Sequence, residues 1–404
     1  MDHYRAAEPG TIGVEEEFVL VDAATGRGVP DAGPVLAAAG THRWTATGGS
    51  FAPELLSSQV EAATGVCGDL GGLGAQLRFG RERLAAAARE RGALLLASGM
   101  PVVDGPPPPP APGTRFARVM DAYGDVMENY QACGCHVHIA VPDRDTAVAV
   151  VNHLRPWLPV LLALSANSPF DRGRLTAYAT RRAVAMARFP GSGVPPWTAS
   201  AAEWDARVAA LVEAGVLVDE AMTFWLARPS PRWPTVEVRA ADTAGTATEA
   251  VLQAGLVRGL VGAALEDLEA GREAPRADGQ LCAAALWNAA RHGMSGTLAD
   301  PVAGRPVPAW RLAEAMADRA GPTLADSGDL GAVRALLDVV RRAGTGADRQ
   351  RRAAARGGPL AAVRMLARQT ASRQPPGPEH PREPPGDESG VWDACERVPE
   401  PDAP

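Results

Sequence analysis

No lysine occurs anywhere in the 404 residues, so all 40 basic side chains are arginine. That absence excludes a P-loop lysine, a Schiff-base lysine and the ATP lysine of kinase-type sites, each of which needs an ammonium group at a fixed place. Any phosphate handled here falls to arginine and to metal ions. Cysteine is scarce: Cys67, Cys133, Cys135, Cys282 and Cys395 are odd in number, scattered, and form no CxxC pair. With no basic-then-apolar leader in MDHYRAAEPG, the expected compartment is the reducing cytoplasm. Long apolar runs are missing too. The greasiest, LRPWLPVLLAL from Leu154 to Leu164, is broken by Pro156 and Pro159 and is too short to cross a bilayer, so a soluble protein without a membrane partner is expected. Nor is there an excess of positive charge: a net charge of −7 and a pI near 5.6 argue against a nucleic-acid partner.

What is present is a chain 46% hydrophobic and 22% charged, long enough for a sizeable core. Alternation predicts a strand over Ile12–Asp22, a second extended piece over Pro53–Thr64, a buried strand within Ala93–Pro101, a strand through the HVH segment and another in SPRWPTVEVRAADT. Helical spacing predicts helices over Gly74–Gly92, Thr114–Tyr130, Asp143–Ala166 (bent at its prolines), Ala199–Gly215 and Thr246–Gly271, with three more between Trp310 and Gln369. The proline run Asp104–Gly113 is expected as an exposed loop. Arg349–Arg356 (RQRRAAAR) is expected as a solvated helix face. Strands separated by helices of mixed length favour α+β over a doubly wound sheet. The expected organisation is a flexible start over residues 1–10, a catalytic domain over 11–370 and a disordered proline-rich tail over 371–404.

Three strands pattern their polar groups alike, because side chains two apart share a face. Ile12, Val14, Phe18 and Leu20 oppose Glu15, Glu17 and Val19, with only Glu16 out of phase. Cys133, Cys135, Val137, Ile139 and Val141 oppose Gly134, His136 and His138. Val236, Val238 and Ala240 oppose Thr235, Glu237 and Arg239. Taken singly, a Glu-x-Glu is most often a solvated face, a His-x-His a satisfied pair as often as a ligand set, and a Glu-x-Arg commonly a cross-strand salt bridge. Their joint occurrence opposite apolar faces points to a metal cleft, where carboxylates about 4 Å apart repel by roughly 1–4 kcal/mol unless cations compensate. Hard oxygen ligands with one imidazole suit Mg²⁺ or Mn²⁺. Zinc on the CGCHVH cluster is rejected, since two cysteines and two histidines on opposite faces of a strand cannot meet at one ion.

The motifs GVEEEFVLVD (Gly13–Asp22), ELLSSQVEAAT (Glu54–Thr64), CGCHVHIAVPDRD (Cys133–Asp145), LRPWLPVLLALSANSPF (Leu154–Phe170) and RPSPRWPTVEVRAADT (Arg228–Thr243) occur in that order. Together they resemble the carboxylate–amine ligase family, also called type 2 glutamate–cysteine ligases, from about Gly10 to Thr370. The resemblance implies a glutamine-synthetase-like fold: a curved antiparallel sheet with helices packed outside and Mg·ATP at its open face. It implies ATP-dependent joining of glutamate to cysteine, or to another amine, through a γ-glutamyl phosphate. The alternatives are the same acyl-phosphate chemistry on a different amine or acid, and a catalytically degenerate protein kept for binding. The implied metal ligands are Glu15, Glu17, Glu61, His136 and Glu237, with His136 preferred over His138. Arg239 and Glu237 are the implied catalytic pair. Glu54, His138, Asn167, Tyr178, Arg181, Arg228 and Arg232 are implied contacts for ATP or substrate. Self-association is left open.

Overall fold

The computed structural model describes residues 8–40, 48–127 and 130–372. The expected flexible start and the proline-rich tail lie, but for a few residues, outside this described part.

Seven strands form the central sheet: β1 (Ile12–Asp22), β2 (Ser50–Pro53), β3 (Gln59–Ala63), β4 (Ala93–Leu96), β5 (Gly134–Ala140), β6 (Ala227–Pro229) and β7 (Thr235–Asp242). Their order is β6-β7-β5-β1-β3-β2, with β4 pairing the far end of β1, and every pairing is antiparallel. The piece expected as one extended segment over Pro53–Thr64 is instead a hairpin, turning between Glu54 and Ser58. Gln59 fixes that turn, since its side-chain oxygen accepts from Leu56 N (3.2 Å) and its amide donates to Ala132 O (2.9 Å).

Ile12, Val14, Cys135, Val137, Ile139, Val236, Val238 and Ala240 are buried on one face of the sheet. Helices Leu70–Glu90, Arg144–Leu154, Leu158–Leu164 and Ala247–Glu269 supply the apolar side chains that pack against them. The expected single helix through Pro156 and Pro159 is two helices bent by 67°. Helix Ala247–Glu269 is apolar enough to resemble a membrane span, yet 83% of its apolar window is buried inside the protein. A capping box, Thr246 with Glu249, starts it.

Several expectations are corrected. Cys133 precedes β5 and packs with Val19, Val21 and Leu96, apart from Cys135. Segment 104–113 is a loop, but one pinned to the β2–β3 turn by Ser57 N to Pro109 O (2.9 Å) and Ala111 N to Leu55 O (2.9 Å). Arg349 is wholly buried rather than solvated, pairing with Glu249 (2.7 Å) and donating to Gly344 O (2.7 Å). Glu16, the residue out of phase on β1, points into the packed side and meets Arg81 of helix Leu70–Glu90 in a two-pronged pair (2.9 and 2.5 Å), both 1% exposed. Arg81 also donates to Ala244 O (2.7 Å), just beyond β7.

Candidate active site

The opposite face of the sheet is left to a cleft that gathers Glu15, Glu17, Glu54, Glu61, His136, His138, Arg228, Arg232, Glu237 and Arg239. Register explains the gathering. Glu17 lies opposite Glu61 across β1 and β3, Glu15 opposite His136 across β1 and β5, and Glu237 opposite His138 across β7 and β5. The hairpin settles Glu54: Ala52 faces Glu61, Pro53 faces Val60, and Glu54 N reaches Gln59 O (3.4 Å), so Glu54 shares the side of Glu61.

The acids fall into two triplets, each able to bring its ligand atoms within 4.8 Å of one another. Glu15, His138 and Glu237 make one; Glu17, Glu54 and Glu61 make the other. The histidine of the first triplet is His138, where the family resemblance favoured His136. His138 Nε2 is 3.5 Å from Glu15, and its Nδ1 is held by the Thr235 hydroxyl at 2.9 Å. His136 lies between the triplets, 3.4 Å from Glu15, 3.7 Å from Glu17 and 3.3 Å from Arg239.

The electrostatics differ between the triplets. In the first, burial opposes ionisation of Glu15, but His138 and His136 outweigh it and hold the carboxyl low. Burial likewise opposes Glu237, and Arg228 and Arg239 overcome it, holding that carboxyl well below the usual range. Arg228 grips Glu237 with two bonds (2.8 and 3.1 Å) and is itself anchored on Ala221 O (2.8 Å), while Arg239 donates to the same carboxylate. In the second triplet compensation falls short: Arg239 draws Glu54 and Glu61 down, but burial and the neighbouring acids outweigh it. Burial and then Glu17 push the Glu54 carboxyl up to about 8, and burial with Glu15, Glu54 and Glu17 drives Glu61 well above its ordinary value. Burial, and then Arg239, lower His136; burial would also lower His138, but Glu15 more than restores it. Crowded carboxylate oxygens, only partly compensated, are the donor set expected of a hard divalent cation.

Three implied contacts stand apart from this cleft. Asn167 is buried, its amide donating to Ala97 O (2.9 Å) and Thr243 O (2.8 Å), a joint between segments rather than a face toward ligand. Arg181 pairs with Asp171 (2.9 Å) and lies over the Tyr178 ring; Tyr178 lines a separate, largely apolar cavity. The helix Arg181–Met186 does reach the cleft, through Arg182 and Met186. Sequence reasoning missed Arg182, along with Tyr130 and Arg115, which also line the cleft. The available signal was Gly134, a glycine in the alternation row of His136 and His138.

The glutamate–cysteine ligase family 2 (GCS2) matches residues 11–373. A Saccharopolyspora erythraea protein, provisionally named glutamate–cysteine ligase 2-2, is 53% identical over 361 residues, covering 89% of this chain and 92% of that protein. The crystal structure of a Francisella tularensis glutamate–cysteine ligase in complex with AMP superposes with a TM-score of 0.64 at 14% identity, covering 97% of this chain and 93% of that one. A bifunctional glutathione synthetase of Pasteurella multocida gives 0.62 at 15% identity, covering 89% of this chain and 52% of that one. At such identities the two structures speak for the fold: a mixed helical and antiparallel-sheet architecture of the glutamine-synthetase-like kind.

Proposed function

This chain belongs to glutamate–cysteine ligase family 2, and from that premise we propose that it is an ATP-dependent ligase joining the side-chain carboxylate of glutamate to the amine of cysteine. The observation that carries the reading is the pair of acid triplets sharing strand β1, with Arg239 beside them. Residues 11–370 then act as the catalytic unit.

In the proposed reaction the glutamate carboxylate attacks the γ-phosphorus of ATP, and ADP leaves. The amine next attacks the acyl carbon of the γ-glutamyl phosphate, loses a proton, and phosphate departs. Such transfers need alignment and charge neutralisation more than covalent help. Magnesium or manganese, held by Glu15, His138 and Glu237 and by Glu17, Glu54 and Glu61, would supply the positive charge that phosphate oxygens need. Arg239 has a buried Nε without a hydrogen-bond partner among the described residues, and this donor is free for the transferring phosphoryl group. Arg228 keeps Glu237 in place and ionised. Arg232, exposed at the mouth, adds a guanidinium where a lysine would otherwise serve. All four described cysteines are unpaired, in keeping with a cytoplasmic site for the reaction.

The test is to supply the protein with Mg·ATP, glutamate and hydroxylamine, an amine small enough to bypass acceptor selection. Phosphate release together with γ-glutamyl hydroxamate is expected. If folded protein yields neither product, with cysteine or with hydroxylamine, the ligase reading is wrong.

A further inference from the structure

Tyr178 and Arg181 take no part in the cleft, yet both belong to the second cavity. Tyr178 lines it, and the Arg181 guanidinium lies 5.7 Å from the centre of the Tyr178 ring. This cavity opens between helix Arg181–Met186 and helix Gly279–His292, and Leu162, Met186, Leu226, Leu286 and Trp287 make its walls mostly apolar. At about 340 Å³ it falls within the ~300–1,000 Å³ that small-molecule sites occupy. Trp287 stands at the rim, 53% exposed, a large aromatic surface that no core covers.

The rim carries mainly one sign of charge. One helical turn beyond Trp287, Arg291 also lies over the Tyr178 ring (5.8 Å), and Arg351 donates to Tyr178 O (2.7 Å). Three guanidiniums thus gather around one residue. Arg181 has Asp171 (2.9 Å) and Arg351 has Asp348 (3.7 Å). Arg291 forms no ion pair among the described residues and gives its bond to Ala177 O. Arg181 Nε is buried with no hydrogen-bond partner among the described residues. An anion set among these donors gains charge-assisted bonds and relieves the repulsion between Arg291 and Arg351. An apolar cavity with a cationic rim fits one kind of small molecule, an apolar body ending in an anionic group.

The cavity also shares a wall with the cleft, since Arg182 and Met186 line both. A Cβ added at Gly134 would run into Arg182 Nη2, so this guanidinium covers Gly134 in the row of His136 and His138. It is tied there by Arg239 O (3.2 Å) and Ala240 O (3.4 Å), and Ala240 lines the cavity as well. A molecule in the cavity therefore bears on the helix that sets this arginine.

We propose that the cavity is a regulatory site for a small amphipathic anion, its body between the two helices and its charge with Arg291 and Arg181. Binding stands apart from the ligase reading; the effect on turnover rests on it.

The probe is octanoate, with octan-1-ol and octylammonium as neutral and cationic counterparts, titrated calorimetrically into the full chain. Octanoate is expected to bind at one site per chain, about tenfold more tightly than either counterpart. Arg291→Gln should remove that preference and leave octan-1-ol affinity as it was. Leu286→Trp, which fills the cavity, should lose both ligands; melting curves confirm that each variant folds. Saturating glutamate should change the octanoate Kd by a factor that levels off, because coupling between separate sites is bounded. In the ligase assay octanoate should change the glutamate KM about twofold or more in wild type but not in Leu286→Trp. Octanoate that binds no better than octylammonium, or as well to Leu286→Trp as to wild type, overturns the site. So does displacement by glutamate or Mg·ATP that grows without limit, which puts octanoate in the cleft. Binding that weakens as protein concentration rises, with the chain sedimenting as a dimer, gives the cavity to a second copy and overturns it too. Bound octanoate that alters no kinetic constant of an active enzyme overturns the regulation. Where no turnover is found the ligase reading fails, and calorimetry alone still decides the site.

Discussion

Glu17 and Glu61 stand directly opposite one another on neighbouring antiparallel strands, within one acid triplet, and among the described residues no arginine forms an ion pair with either carboxylate. Two carboxylates facing across a ladder cost stability, either as repelling charges or through the proton that one of them takes up to avoid the repulsion. Glu61→Gln should therefore raise the melting temperature of metal-free protein by about 2 °C. The same change should remove most of the stabilisation that Mg²⁺ or Mn²⁺ gives wild type. Melting curves with and without the ion read both effects, and a variant stabilised by the ion as strongly as wild type would deny Glu61 a place in the site.

Acidity should govern occupancy of that triplet. Glu54, pushed up to about 8, holds a proton at neutral pH that an incoming cation has to displace, and burial and neighbouring acids push Glu61 in the same direction. Affinity for Mn²⁺ is thus expected to climb from pH 6.5 to 8.5, with proton release measurable by calorimetry in buffers of different ionisation enthalpy. The metal-free fold behaves oppositely. Folded-state values above the ordinary 4.5 mean that their stabilising share is complete below pH 4.5 and drains away as pH rises toward 8 and beyond.

His138 and His136 are separable by substitution. His138→Ala should weaken the activating metal at least about tenfold, because His138 completes the triplet with Glu15 and Glu237. His136→Ala should leave metal affinity within about threefold and lower turnover instead. Metal activation curves at saturating ATP decide between them, and a reversed order would restore His136 as the ligand.

Glu237→Gln should abolish detectable turnover while the protein still folds. Two guanidiniums, from Arg228 and Arg239, lose their common counter-charge in this variant, so a drop in stability of about 1–3 kcal/mol should accompany the loss. Full turnover with a lowered melting temperature would reduce Glu237 to a structural anchor.

The Glu16–Arg81 pair on the packed side predicts a stability effect without a chemical one. Either residue changed to alanine strands a charge 1% exposed and should cost about 3–5 kcal/mol, whereas the double change Glu16→Leu with Arg81→Met should recover most of it. Urea unfolding of the three variants measures this. If the double variant is as unstable as the singles, the pair is doing more than neutralising itself.

Strand parity was legible in the sequence, and so was the side each acid takes: Glu15 and Glu17, His136 and His138, Glu237 and Arg239 all reach the face that alternation predicts. Register was not. Whether His136 or His138 meets Glu15 and Glu237 together depends on how β5 slides against β1 and β7, and hydrogen-bond pairing, not composition, fixes that. Glu54 was ambiguous because five turn residues separate the strands of its hairpin, and counting along the chain carries no phase across a turn. Arg349 and Arg182 were unreadable for another reason: a buried arginine looks like a solvated one until its partners, Glu249 in one case and the space over Gly134 in the other, are brought from distant segments.

The pairing of β7 with β5 carries an irregularity between Val238 and Ala241, where three steps along β7 match two along β5. This extra residue resets the phase of the strand. Arg239 reaches the cleft by the parity set before it, while Asp242 comes opposite Gly134, the residue over which Arg182 lies. The carbonyls of Arg239 and Ala240, inside the slipped stretch, are the two that Arg182 grasps. One misfit in a ladder thus hands two arginines to the same chamber from two parts of the chain. Deleting a single residue there would turn the strand like a key in the wrong lock, its earlier half still engaged and its later half facing away.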